Sequence, residues 1–320
     1  MKGRSTIALL LLVTLLATVM SCGTATPEVV KETVVVPVTV APAPEEVVQE
    51  TTLERAKREG VIRVGFANES PFAYANPDGT LTGEAVEVAR AIFTNLGIPQ
   101  MEGVLAEFGS LIPGLVAGRF DAITAGMYIK PERCEQVLFA DPDYKVGGGL
   151  IVAKGNPLNL HSYEDIAANP NVRAGTGQGY YEDQYMRAVG VKDEQITLYP
   201  DNPSGIAGLQ AGQIDAYTAT AIGLAQILGV TEDPNLELAD PFTDPVIDGK
   251  SITGYSGTAF RKEDIDLRNA FSAELRKLEE SGKLLEIYLL FPGFGKHTLP
   301  GGVSVLESCP DQYKDLALEP

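Results

Sequence analysis

Lys145-Val146-Gly147-Gly148-Gly149-Leu150-Ile151-Val152 is an apolar run broken by glycines, and a second run of the same kind spans residues 251–260. Both read as strands, because β-branched residues suit a pleated surface and glycine permits close backbone approach. They stand at the joints between two series of alternating strands and helices. We read them as paired crossovers between two lobes, a hinge about which the lobes close.

Upstream of the first crossover, Val61-Ile62-Arg63-Val64-Gly65-Phe66 is a β-branched run followed by a loop and a turn at Asn76-Pro77-Asp78-Gly79. Ala85, Val88, Ala89, Ile92, Phe93 and Leu96 then recur at helical spacing and end on Gly97. The unit repeats with a helix near 108–118, a strand over 120–124 and a helix opened by Pro131, where proline suits the first helical position. A second series gives strands over 172–175, 195–199 and 214–217, with helices over 180–189 and 204–211. A long helix over 266–280 follows, striped by Leu267, Ala270, Phe271, Leu275 and Leu278. This alternation predicts an α/β protein in which each lobe is a mostly parallel sheet flanked by helices. The lobes are expected over 53–146 with 253–320, and over 147–252.

The N-terminal end reads differently. Lys2 and Arg4 precede an apolar run from Ile7 through Met20 that closes on Ser21-Cys22. That run is shorter than the roughly 20 apolar residues of a membrane span, and a small residue before cysteine marks a lipobox. It predicts a lipoprotein signal peptide over 1–21, with Cys22 lipidated and the chain anchored to the cell membrane outside the cytoplasm, at the cell surface or in the periplasm. Residues 22–52, rich in Val, Thr, Glu and Pro, read as a disordered tether.

A formal charge of -18 over 320 residues, with no basic cluster, weighs against a nucleic-acid partner. With Cys22 given to lipid, Cys134 and Cys309 remain in a disulfide-permissive compartment, and we expect them to pair. Their spacing fits no zinc site, and His161 and His297 lie far apart in the chain, so neither a metal nor a cofactor is expected.

In open sheets of parallel strands, ligands sit beyond the carboxyl ends of the strands. The loop after the first strand carries Glu69 and Phe72, and the loop after 120–124 carries Tyr128 and then Lys130-Pro131-Glu132-Arg133. A guanidinium there matches a carboxylate bidentately, and the residues alone leave Arg133 open between that role and a surface pairing with Glu132 or Glu135. Phe72, Phe108 and Tyr128 could wall a cation by its attraction to ring faces. Core packing is the other reading, strongest for Phe108, because Leu105, Phe108, Ile112 and Leu115 also make an apolar face. Gly175-Thr176-Gly177-Gln178-Gly179-Tyr180-Tyr181 departs from a dinucleotide fingerprint at Tyr180. We read it as backbone N–H donors aimed at a ligand carboxylate.

Phe120-Asp121-Ala122-Ile123-Thr124-Ala125-Gly126-Met127 running into Pro131-Glu132-Arg133, with Leu111-Ile112-Pro113-Gly114-Leu115 and Gln213-Ile214-Asp215-Ala216-Tyr217, resembles the solute-binding proteins of polar amino acid ABC importers, family 3, over about 53–294. Within that family, Ala67-Asn68-Glu69-Ser70-Pro71-Phe72, Lys130-Pro131-Glu132-Arg133-Cys134 and Lys154-Gly155-Asn156-Pro157-Leu158 are most similar to the ectoine/hydroxyectoine-binding proteins. The resemblance implies a two-lobed periplasmic-binding-protein fold and a monomeric receptor, not an enzyme, that hands a zwitterionic compatible solute to membrane permease subunits in osmoprotection. Phe72, Phe108 and Tyr128 would then box the cation, Glu69 would pair with its N–H groups, and Arg133 would hold the carboxylate. Tyr181 falls where those relatives have threonine. Their box runs Phe, Tyr, Phe in chain order, so one hydroxyl has moved here. Amino acid receptors of the family carry an aspartate where this chain has Thr220, with Asp201 or Asp143 as possible substitutes. The rivals are an ordinary polar amino acid receptor, an orphan sensor, and an exported dehydratase with Glu69 as its acid or base.

Overall fold

The computed structural model describes residues 49–318 apart from Asp248. The expected signal peptide, Cys22 and the tether up to residue 48 lie outside the described residues. The first described helix, Thr52–Glu59, starts where the tether was expected to end, and Thr51 opens it with a reciprocal cap to Glu54, a motif that satisfies two otherwise free backbone donors.

Two five-stranded sheets follow. The first has the order Gln100–Leu105, Val61–Phe66, Ala122–Ile123, Ala259–Phe260, Leu138–Phe139. The second has the order Ile196–Tyr199, Ala174–Gly177, Ala216–Thr220, Gly148–Ala153, Leu236–Leu238. In each, the first three strands are parallel and the fourth runs against both of its neighbours. The expected mostly parallel sheets thus each carry one reversed strand. Each reversed strand is the one that the hinge feeds: Tyr144–Val146 and Gly254–Ser256 pair antiparallel, with Lys145 opposite Tyr255, and each leads within a few residues into the reversed strand of a sheet.

Helices cover the sheets with the faces their periodicity dictates. Ala85, Val88, Ala89, Ile92 and Phe93 of the helix Glu84–Asn95 are buried, as are Leu267, Phe271, Leu275 and Leu278 of Ile265–Glu280. Phe271 ties the layers together, meeting Phe93 of the neighbouring helix and Phe260 of the sheet at ring-centroid distances of 5.3 and 5.4 Å. Each such buried aromatic is worth on the order of 2–3 kcal/mol of transfer free energy.

Cys134 and Cys309 are bonded, with Cα atoms 6.4 Å apart. The same C-terminal segment is stitched down by Tyr313, whose hydroxyl donates to Val137 O at 2.8 Å and accepts from Phe139 N at 2.9 Å. The tail therefore grips the stretch of the first lobe that follows Arg133.

Candidate ligand-binding cleft

The loop after Val61–Phe66 is strapped to the next helix by Glu84 N on Pro71 O at 2.9 Å and Ala85 N on Phe72 O at 3.0 Å. Those bonds hold Glu69 and Phe72 at the strand end. The Phe72 ring stacks on Tyr144 at 5.7 Å and meets Phe294 edge-on at 5.9 Å. Gly126 makes room for this stack: its φ is +64°, and a methyl group there would lie 2.6 Å from the Tyr144 hydroxyl. Tyr128 rests on the second crossing strand, where a methyl group on Gly254 would lie 2.2 Å from Tyr128 Cζ. Its own hydroxyl is buried without a hydrogen-bond partner.

Arg133 is only 8% exposed, which removes the surface-pairing reading. Pro131 starts its four-residue helix, Pro131–Cys134. One guanidinium N–H donates to Tyr128 O at 2.7 Å and another to Gly179 O at 2.8 Å, while the guanidinium carbon lies 5.5 Å from the Phe108 ring and 5.1 Å from that of Tyr181. The Gly175–Tyr181 loop thus presents a carbonyl acceptor to the first lobe, beyond the N–H donors read from the sequence. Gly109 and Gly179 carry the contact between the lobes here, since a methyl group on Gly179 would lie 2.8 Å from Gly109 Cα.

Glu69, Phe72, Phe108, Tyr128, Arg133 and Tyr181 line one cavity of about 30 Å³ together with Gly126, Tyr180, Glu182, Asn202, Ala219 and Thr220. That is room for about two waters, too little for a solute with the lobes as they stand. A wider groove of about 440 Å³ shares Glu69 and Asn202 and runs outward past Ile206 and Val230. Two tyrosines close the lobes on each other: the Tyr180 hydroxyl donates to Glu69 and the Tyr181 hydroxyl to Glu132. Tyr180 also meets Phe108 edge-on at 5.1 Å.

The electrostatics are those of a dry site. Burial, with the charges of Glu182 and Asp201, pushes the Glu69 carboxyl up to about 8. Burial pushes Glu182 up to about 7 against the pull of its own backbone N–H, Arg133 and Lys130. Lys130, lodged 4.9 Å from the Tyr185 ring and 5.1 Å from that of Tyr181, is pulled down to about 8 by burial and then by Arg133.

Of the two acids named as substitutes for the family aspartate, Asp201 accepts from Ser204 N at 2.8 Å as the cap of the helix Asn202–Gln210, and Asp143 lies buried ahead of the first crossing strand. Neither lines the small cavity, and Asp201 lines the wider groove beside it. Thr220 does line the small cavity, capping the helix Ala221–Thr231 through Gly223 N at 3.3 Å. Tyr180 and Glu182 escaped the sequence reading. Tyr180 registered only as a failed glycine, and Glu182 resembles any acid in a first helical turn. Their one signal was their place after a glycine loop at a strand end. Among the described residues, no group of three or more His, Cys, Asp or Glu side chains could hold a metal ion.

Rings, two carboxylates and a buried guanidinium around one cavity suit a molecule carrying both charges. The comparisons agree. The chain is 41% identical over 246 residues, 75% of its length and 81% of the relative, to a probable amino-acid ABC transporter periplasmic-binding protein, y4tE, of Sinorhizobium fredii. Its fold is similar to that of EhuB crystallised in complex with hydroxyectoine, with a TM-score of 0.74 and 38% identity, covering 81% of this chain and 98% of that one. It is also similar to the ancestral amino acid-binding protein AncCDT-1, a precursor of cyclohexadienyl dehydratase, with a TM-score of 0.66 and 26% identity over 75% of this chain and 99% of that one. Residues 62–293 match one family throughout, and the chain belongs to the bacterial extracellular solute-binding proteins, family 3, the solute-capturing components of ABC importers that work outside the cytoplasm.

Proposed function

We propose that this receptor captures a small zwitterionic compatible solute, ectoine or hydroxyectoine, between its lobes and delivers it to membrane permease subunits. The observation that carries the reading is the convergence of Phe72, Phe108, Tyr128, Glu69 and Arg133 on one cavity. Three rings attract a delocalised cation by ~0.5–2 kcal/mol each, Glu69 accepts its N–H groups, and Arg133 turns from the carbonyls it now holds to a carboxylate. Tyr181 contributes the second lobe's hydroxyl. EhuB, which holds hydroxyectoine, supports the assignment. The lobes in this reading span 53–146 with 253–320 and 147–252. The chain acts as a monomer without cofactor or catalysis, held to the membrane through lipid on Cys22.

A second reading, a polar amino acid receptor, is favoured by one observation. Glu182 supplies a buried second-lobe carboxylate that could grip an α-ammonium in place of the aspartate replaced by Thr220. Calorimetry with ectoine, hydroxyectoine, proline, glycine betaine and the common amino acids separates the two. Tight binding of ectoine supports the first, and binding of primary α-amino acids alone refutes it.

A further inference from the structure

The cavity holds one cation and two acids. Glu69 comes from the first lobe and Glu182 from the second, and both line the same small space. Glu182 is 3% exposed. Its own backbone N–H bonds its carboxylate, and Arg133 and Lys130 act on its charge, but among the described residues no side chain forms an ion pair or hydrogen bond with it. Glu69 has one donor, the Tyr180 hydroxyl. The Tyr128 hydroxyl, on which Glu182 also acts, has no partner.

A buried carboxylate with a single donor still has acceptor capacity to fill, and the natural supplier of further donors in a binding cleft is the ligand. An aromatic box alone takes any cation, including a fully alkylated ammonium that offers no N–H. Two carboxylates change that preference. A trimethylammonium would add no donor to either in a dry site, whereas an amidinium or guanidinium carries an N–H for each.

Resting on the zwitterion reading of the cleft, we propose that Glu182 is a specificity-determining residue which, with Glu69, makes the site select solutes whose cation bears several N–H donors over those whose cation is fully alkylated. The alternative is that Glu182 only balances the charge of Arg133. These differ in which ligands they touch. A counter-ion shifts the affinity of every carboxylate-bearing solute by the same factor, and a donor-reading acid shifts the ratio between solutes.

The test is calorimetry of the whole chain and its Glu182→Gln and Glu182→Asp variants with ectoine, L-arginine and glycine betaine, with thermal melting as a check that each variant is folded. Hydrogen bonds to charged groups predict that Glu182→Gln weakens the better-bound N–H solute by ~10- to 100-fold relative to glycine betaine. Glu182→Asp should recover part of that ratio. An equal shift for all three solutes, or no shift, overturns the proposal while leaving the receptor reading intact. Binding of arginine but not ectoine removes the ectoine assignment and leaves Glu182 to be judged on arginine. Binding of none of the three overturns both.

Discussion

Arg133 of the first lobe donates to the carbonyl oxygen of Gly179 in the second at 2.8 Å. The guanidinium that lines the cavity is therefore also a contact between the lobes, and in the proposed reading a ligand carboxylate takes over a bond that already exists.

Replacing this residue should separate charge from shape. In the proposed reading Arg133→Ala leaves the ligand carboxylate without its donor, and truncating a buried charged partner costs ~2–5 kcal/mol. Solute affinity should fall ~30-fold or more. Arg133→Lys keeps the charge but loses the fork that reaches Tyr128 O and Gly179 O together, and its affinity should fall between the two. Calorimetry gives both numbers, and a Lys variant as tight as the native chain would contradict the bidentate role.

Gly254 sets the position of the Tyr128 ring. Gly254→Ala places a methyl group inside that ring's contact radius, and overpacking of this kind costs ~1–3 kcal/mol. We expect a lower melting temperature and an affinity loss of ~10-fold; adding Tyr128→Ala to make room should restore the melting temperature, while affinity, now short of one ring, should not recover. Failure of the double variant to recover stability would show that the crossing strand, not the ring, bears the strain.

The stability of the first lobe should depend on pH through Glu84 and Asp143. Both are buried, and Glu84 Oε1 and Oε2 and Asp143 Oδ1 have no partner. Burial, and for Glu84 the charge of Asp143, raises both carboxyls, Asp143 to about 7. Unfolded carboxyls titrate near pH 4, so between about 4 and 7 the folded chain holds protons the unfolded chain has released. Stability is therefore full below about pH 4 and is lost as pH rises through about 7, by at most ~1.4 kcal/mol per pH unit for each proton involved. Melting temperatures from pH 5 to 8 should fall, and Glu84→Gln should flatten the slope and stabilise the protein at pH 8. A slope unchanged in that variant would remove the pair as its cause.

Reduction of the Cys134–Cys309 bond should be felt at the cleft. It frees the tail from the residue next to Arg133, and loss of a native disulfide typically costs roughly 2–5 kcal/mol. Reductant, or Cys309→Ser, should lower the melting temperature and weaken solute binding together. Weaker stability with native affinity would confine the disulfide to a scaffold role.

The sequence disclosed the architecture where local pattern decides it and blurred where partners decide. Helices over Glu84–Asn95 and Ile265–Glu280 are readable from their apolar stripes, because one face meets one sheet. The second-lobe strands expected at 172–175 and 214–217 lie two residues later, at Ala174–Gly177 and Ala216–Thr220. Val172 and Ile214 are buried and look like strand residues, yet the ladder begins where Ala174 meets Ile196 and Ala216. Within the cleft, rings and Arg133 announce themselves by type beside strand ends. Glu182 does not, since only burial distinguishes it from other first-turn acids, and burial is a property of the closed lobes.

The hinge has one more consequence, for the order of assembly. All five strands of the second sheet come from the single stretch 148–238, so that sheet needs no strand from further downstream. The first sheet is different: Ala259–Phe260 is the strand that joins Ala122–Ile123 to Leu138–Phe139. Until the chain has crossed, completed the second lobe and returned, those two strands have no common neighbour, and the lobe that begins first is the last to be finished.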